Sequence, residues 1–244
     1  FQDISGVTPD VYQDAARTKF DAKILTHGSA TGLAEYIRDA RATSYENGII
    51  PWDIGTFTVV AQMLSERYPP FTVAYEQMAD DIAEVIYQDS YEQNPGYFDL
   101  TSNKNNGWDP TYANTDYYWY SLGITGLIDA FESAGVHTDK IAGLVTTLLE
   151  CQYASGAFSY CYGANPDDED WQSTGYAVTS LARVDQSANQ GSINYACYWL
   201  GATQDTSGGW VYSGSGNHYP EIGGEATAAL SFGQNLFTDE PPEV

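Results

Sequence analysis

Three aspartates stand at the same distance from a leucine. Asp53, Asp116 and Asp170 each lie eleven residues before Leu64, Leu127 and Leu181, and the fourth leucine of the series, Leu230, has Tyr219 in that place with Glu221 two residues later. If the leucines mark equivalent points on helices that run the same way round a common cavity, these groups converge on one mouth of it. Positive helix N-termini there would stabilise them as anions. Two uses of the acids are open. Asp is a preferred helix cap, and repetition alone places caps in register. In the other use, Asp53, Asp116, Asp170 and Glu225 are candidate catalytic acids and bases, because a pair of carboxylates across a cavity suffices for glycosidic cleavage.

Around the same mouth stand Trp52, Tyr118, Trp119, Trp171, Tyr176, His218 and Tyr219. Rings stack on the C–H faces of sugars while carboxylates such as Glu221 take hydroxyls, so this set forms a candidate glycan-binding site. The same rings serve equally as core. The acidic run Asp167-Asp168-Glu169-Asp170 offers clustered oxygens of the kind Ca²⁺ takes, but without EF-hand spacing, which favours a solvated, capping loop. No other cofactor is expected. Cys151, Cys161 and Cys197 are too few for a disulfide framework and lack CxxC spacing; they read as buried thiols or as one bridge with a thiol left over.

Nine Lys and Arg against 33 Asp and Glu give a formal net charge of −24 over 244 residues. That field argues against nucleic acid and anionic membranes as partners and suits a cation, a neutral sugar or a basic protein. No apolar run reaches the roughly 20 residues of a membrane span. An acidic, lysine-poor surface fits an extracellular or cell-surface setting, a salt-adapted one included. Residues 1–237 read as one domain and 238–244, with two prolines and three acids, as a linker or tail, which suits a piece of a larger surface protein.

The elements that must position these groups come in repeats. Gln93-Asn-Pro-Gly96-Tyr-Phe98, Gln152-Tyr-Ala-Ser-Gly156-Ala-Phe158 and Gln204-Asp-Thr-Ser-Gly208-Gly-Trp210 share a Gln, a Gly and an aromatic residue, at intervals of 59 and 52 residues. Each interval accommodates two helices and a generous loop. The Gln suits exposed backbone groups at helix ends, the Gly a sharp turn and the ring a gap between hairpins. Between the repeats, Ile141, Leu144, Val145, Leu148 and Leu149 form a one-sided stripe, as do Met78, Ile82, Val85 and Ile86. Apolar residues instead surround the segments Ile54–Leu64 and Tyr118–Phe131. The alternation predicts five inner helices, near 10–27, 53–68, 115–134, 171–184 and 222–236, and four outer ones, near 29–43, 72–91, 138–153 and 189–203. Pro69-Pro70 should end one helix, Gly135 another, and Thr138 should cap the next.

These repeats resemble the QW motif of squalene and oxidosqualene cyclases. Ser173-Thr-Gly-Tyr-Ala-Val-Thr-Ser-Leu181 and Glu225-Ala-Thr-Ala-Ala-Leu230 resemble inner helices of the terpenoid cyclase and protein prenyltransferase toroids. The resemblance, over about residues 45–236, implies an all-α α/α toroid of five inner and four outer helices. It does not extend to the chemistry. The cyclase acid pair should directly precede Thr174, where Gln172 and Ser173 stand, and Asp80-Asp81 lack the partner of a diphosphate-binding motif. A prenyltransferase zinc site would draw on Cys161, Asp170 and His218, but its D-x-C is absent, and Arg183 is the one basic residue after an inner helix. The expected function is therefore binding of a neutral ligand, a glycan above all, in the central cavity. A polysaccharide hydrolase or lyase is the alternative, and a cyclase or prenyltransferase-like enzyme the second.

Overall fold

A computed structural model describes residues 9–42, 51–88, 121–159, 169–210 and 218–233. Among them the chain is all-α. Nine α-helices follow one another: α1 Pro9–His27, α2 Ala30–Ala42, α3 Pro51–Arg67, α4 Thr72–Ile86, α5 Ser121–Ala134, α6 Thr138–Glu150, α7 Trp171–Asp185, α8 Gln190–Ala202 and α9 Pro220–Leu230. No strand occurs among the described residues, and the extended pairing is limited to two isolated bridges, Gln152 with Phe158 and Ser159 with Glu169.

The helix boundaries follow local chemistry. Pro69 and Pro70 cannot continue α3, and a 3₁₀ turn over Pro69–Phe71 hands the chain to α4. Gly135 closes α5 in the left-handed conformation, φ 71°. Thr138 is not the cap expected of it: His137 holds that place with φ 51° and makes no side-chain cap bond, so Thr138 opens the helix as its first residue. The last helix begins at Pro220 and ends at Leu230, several residues before the expected end. Ser231 and Phe232 close it instead, their N–H groups donating to Ala228 and Ala229 carbonyls.

The odd-numbered helices form one continuous row, with α3 packed on α1 and α5, and α7 on α5 and α9. The even-numbered helices cover it: α2 packs on α1 and α4, α4 on α3 and α5, α6 on α5, and α8 on α7 and α9. No packing of comparable extent joins α9 to α1 among the described residues. Helix α5 is enclosed by α3, α4, α6 and α7, which is why every residue from Ser121 to Phe131 is buried. Apolar residues surround α3 in the sequence, but Thr56 is exposed and Met63, one of that set, is 55% exposed, so α3 turns one face to water. In α4 and α6 the one-sided stripes do face inward, through Ile82, Val85 and Ile86 and through Ile141, Leu144 and Leu148.

Close helix approach depends on glycine at two crossings. A Cβ on Gly55 would fall 2.4 Å from the Gly126 carbonyl oxygen, so α3 and α5 meet backbone to backbone. A Cβ on Gly175 would fall 3.2 Å from the Glu225 backbone, and this brings α9 against α7 with Glu225 at the contact.

Candidate functional site

The repeat turns are structural. Gln152 Nε2 donates to the carbonyls of Gly156 (3.0 Å) and Ser192 (3.0 Å), and its Oε1 accepts from Ser192 Oγ, tying the turn to the start of α8. Gly156 has φ 97° and sits directly on the Tyr195 carbonyl, a place with no room for a side chain. Phe158 is fully buried. The next copy repeats the geometry: Gln204 Nε2 donates to Gly208 O (2.8 Å), Gly208 has φ 85°, and Trp210 is buried with Nε1 donating to Leu200 O (2.9 Å). The copy at Gln93–Phe98 lies outside the described residues.

Of the candidate acids, Asp170 is the N-cap of α7. Its carboxylate accepts from Ser173 N at 2.6 Å and its carbonyl from Thr174 Oγ1 at 2.7 Å. Burial raises its pKa, against the lowering effect of the Ser173 bonds. Asp53 and Trp52 lie in the first turn of α3, their side chains outside the described set; Asp116, Tyr118 and Trp119 lie outside the described residues altogether.

The described candidate aromatics take separate partners. Trp171 turns towards α8, with Nε1 donating to Thr203 Oγ1 (3.0 Å) and its ring 6.2 Å from that of Trp199. His218 pairs with Asp205 (3.0 Å) and packs against Gly209 in the second repeat turn. Tyr219 occupies the N-cap place of α9 without a side-chain cap bond, and Glu221 is exposed in the first turn of that helix.

A pocket of about 220 Å³ does open between the odd helices, one step further along their faces. Helix α3 contributes Thr56 and Val59, α5 contributes Asp129, α7 contributes Gly175, Tyr176, Thr179 and Arg183, and α9 contributes Glu225 and Ala228. Two of the sequence candidates, Tyr176 and Glu225, line it. The sequence reading missed Asp129. Its signal is legible in retrospect: Asp129 is the one charge in the otherwise uncharged run Ser121–Phe131, and it stands two residues after Leu127 just as Arg183 stands two after Leu181. Likewise Val59, Tyr176 and Glu225 each stand five residues before their leucine, and all three meet at the pocket.

The pocket is electrostatically uneven. Arg183 Nε donates to Asp129 Oδ1 at 3.2 Å, and Asp129 is 6% exposed. Burial pushes the Asp129 carboxyl upward, while Arg183 and the neighbouring Ser180 hydroxyl oppose it. Glu225 has less help. Gln172 Nε2 reaches its Oε1 at a long 3.4 Å, and Oε2 is buried without a hydrogen-bond partner. Burial lifts the Glu225 pKa to about 7, Gln172 and Tyr176 draw it part of the way back, and the negative charges of Glu221 and Asp170 push it further up. A carboxyl poised at neutral pH in an open pocket accepts hydrogen bonds as an anion and donates one as an acid.

No group of three or more metal-ligating side chains is assembled among the described residues, and the 167–168 part of the acidic run lies outside them. Glu169 accepts from Trp199 Nε1 instead (3.2 Å). Cys151 and Cys197 are buried thiols, the latter pushed up to about 12 by burial, so they belong to the core; Cys161 is outside the described residues. No described helix is long and apolar enough to cross a membrane. Comparison of the chain with protein-family models, curated proteins and solved structures finds no match.

Proposed function

We propose that this chain is an α/α-toroid domain that binds a small, neutral, hydroxyl-rich ligand, a glycan unit, in the pocket between α3, α5, α7 and α9. Four consecutive odd helices line one pocket, which favours a row that curves as in a toroid. The observation that carries the binding reading is Glu225: a carboxylate on the pocket wall, reached by Gln172 only at a long 3.4 Å through Oε1, with Oε2 buried and without a partner. An under-partnered carboxylate of this kind costs about 1–3 kcal/mol, and a ligand hydroxyl that reaches it recovers part of that. Tyr176 supplies a ring, and Thr56 and Thr179 supply hydroxyls. At about 220 Å³ the pocket is below the roughly 300–1,000 Å³ of drug-sized sites, so it takes one ring, with any longer glycan running out over the surface. The acidic surface supports an extracellular or cell-surface setting.

The test is calorimetric titration of the chain against a panel of monosaccharides and short glycans. One or more should bind with a Kd of about 1 mM or tighter, as expected for a single-ring contact. Ala228→Phe, placed on an exposed residue at the pocket rim, should weaken that binding at least tenfold with melting unchanged. A panel without a binder, or binding indifferent to Ala228→Phe, sinks the reading.

One observation favours the hydrolytic alternative: Glu225, with its pKa near 7, has the proton affinity of a general acid, and Asp129 lies on the same pocket. The arginine paired with Asp129 weakens it as a base or nucleophile, which is why binding is placed first. Release of reducing ends from any glycan in the panel, lost in Glu225→Gln, would reverse that order.

A further inference from the structure

The pocket has a sign as well as a shape. The charges of Glu221 on its own helix and of Asp170 at the start of α7 press on the Glu225 carboxylate; Asp129 on α5 lines the same pocket, and Arg183, the one cation among the lining residues, already gives its Nε to Asp129. Helix α8, which also packs on α9, brings no countercharge to it; the titratable group it is seen to present to that helix is the Cys197 thiol, bonded to the Ala229 carbonyl. The phenol of Tyr176 completes the set, bonded to the Glu225 side chain. The Glu225 carboxylate therefore sits in a field that a hydroxyl satisfies only in part.

We infer that the preferred occupant carries an ammonium group beside its hydroxyls, as an amine-bearing sugar does, and that the ammonium docks on the Glu225 carboxylate. The inference rests on the binding reading above and sharpens it. An ammonium gives that carboxylate a charge-assisted hydrogen bond, neutralises one of the acids, and finds the Tyr176 ring close by. It also fits the chain as a whole, whose net charge of −24 concentrates cations near the surface. Since the ammonium needs the ionised carboxylate, binding is coupled to pH: when Glu225 is protonated, a proton must leave as the amine arrives.

A matched pair of probes isolates the charge: trans-4-aminocyclohexanol, whose alkylamine stays protonated throughout, and trans-1,4-cyclohexanediol. At pH 8 the amine should bind about tenfold tighter than the diol, the usual margin of a charge-assisted over a neutral hydrogen bond. Its affinity should fall by about tenfold between pH 8 and pH 6, as the ionised fraction of a group titrating near 7 falls. In Glu225→Gln the ratio of amine to diol affinity should drop to about one. Equal affinities in the native chain, or an amine preference that survives Glu225→Gln, overturns the inference. If the diol binds as tightly as the amine, only the ammonium falls; if neither probe and no sugar binds, the pocket reading falls with it.

Discussion

The helix starts and the helix faces treat a carboxylate differently. Asp170, at the start of α7, has a backbone N–H aimed at it and is consumed by capping; Glu225, in the middle of α9, has an oxygen buried with no donor at all. Both are lifted by burial, yet one is lifted against a hydrogen bond that holds the helix and the other against nothing its own helix supplies. Asp129 is the intermediate case, a face residue whose donor comes from the neighbouring helix through Arg183. At the start of α7, then, an acid holds the fold, whereas on the faces of α5 and α9 an acid must find a partner from another helix or from a ligand.

The sharpest way to break this comparison is to remove the partner that a face residue does have. Arg183→Ala leaves Asp129 buried without a countercharge, at an expected cost of about 3 kcal/mol and a drop in melting temperature of about 6–12 °C for a chain of this size. Replacing Asp129 and Arg183 together by Leu should recover most of that loss, because no unpaired charge is then left behind. Equal melting of the native chain and Arg183→Ala would mean that Asp129 is held by something other than the arginine.

Glu225 gives the next largest effect, with the opposite sign. Its folded-state pKa of about 7 lies above its ordinary 4.5, so the folded chain binds this proton more tightly than the unfolded one. The contribution is full below the ordinary value, is lost as pH rises through 7, and becomes a net cost of burying the anion. Glu225→Gln, which cannot ionise, should therefore match the native chain at pH 4.5 and exceed its stability by about 2 kcal/mol at pH 8, or about 4–8 °C in melting temperature. A Glu225→Gln chain that melts lower than the native one at pH 8 would place Glu225 with Asp170, among the acids that hold the fold.

The all-α character and most spans of the described helices were legible in the sequence, because 3.6-residue periodicity and the prolines and glycines around it are local signals. The site was legible only in part, and for a physical reason. Eleven residues before the leucine is three turns away, at the helix start, where Asp170 is taken up by the Ser173 amide. The pocket lies five residues before and two after the same leucines, and there the phase that brought Asp53, Asp116 and Asp170 into register brings Val59, Tyr176 and Glu225 together, with Asp129 and Arg183 beyond them. The repeat turns were read correctly as structure because Gln, Gly and ring act within a few residues of one another. The partners of Trp171 and His218, Thr203 and Asp205, belong to elements whose approach no local pattern records.

The smallest effect tests the other side of the comparison. If Asp170 is a cap, Asp170→Ala loses one hydrogen bond to the Ser173 amide and about 1 kcal/mol, a melting change of about 2–4 °C. It also removes a negative charge that pushes Glu225 upward, so the Glu225 carboxyl should titrate lower in the variant. Both consequences depend on pH in the same sense. Burial raises the Asp170 pKa, so its contribution is full below its ordinary 3.8 and is lost as pH rises through the raised value, and the relief of Glu225 returns a further fraction as pH rises towards 7 and beyond; the deficit of Asp170→Ala should be greatest at low pH and shrink by pH 8. Sugar binding should persist throughout. Unchanged melting with binding lost would instead put Asp170 at the ligand, and the distinction between helix starts and helix faces would no longer hold.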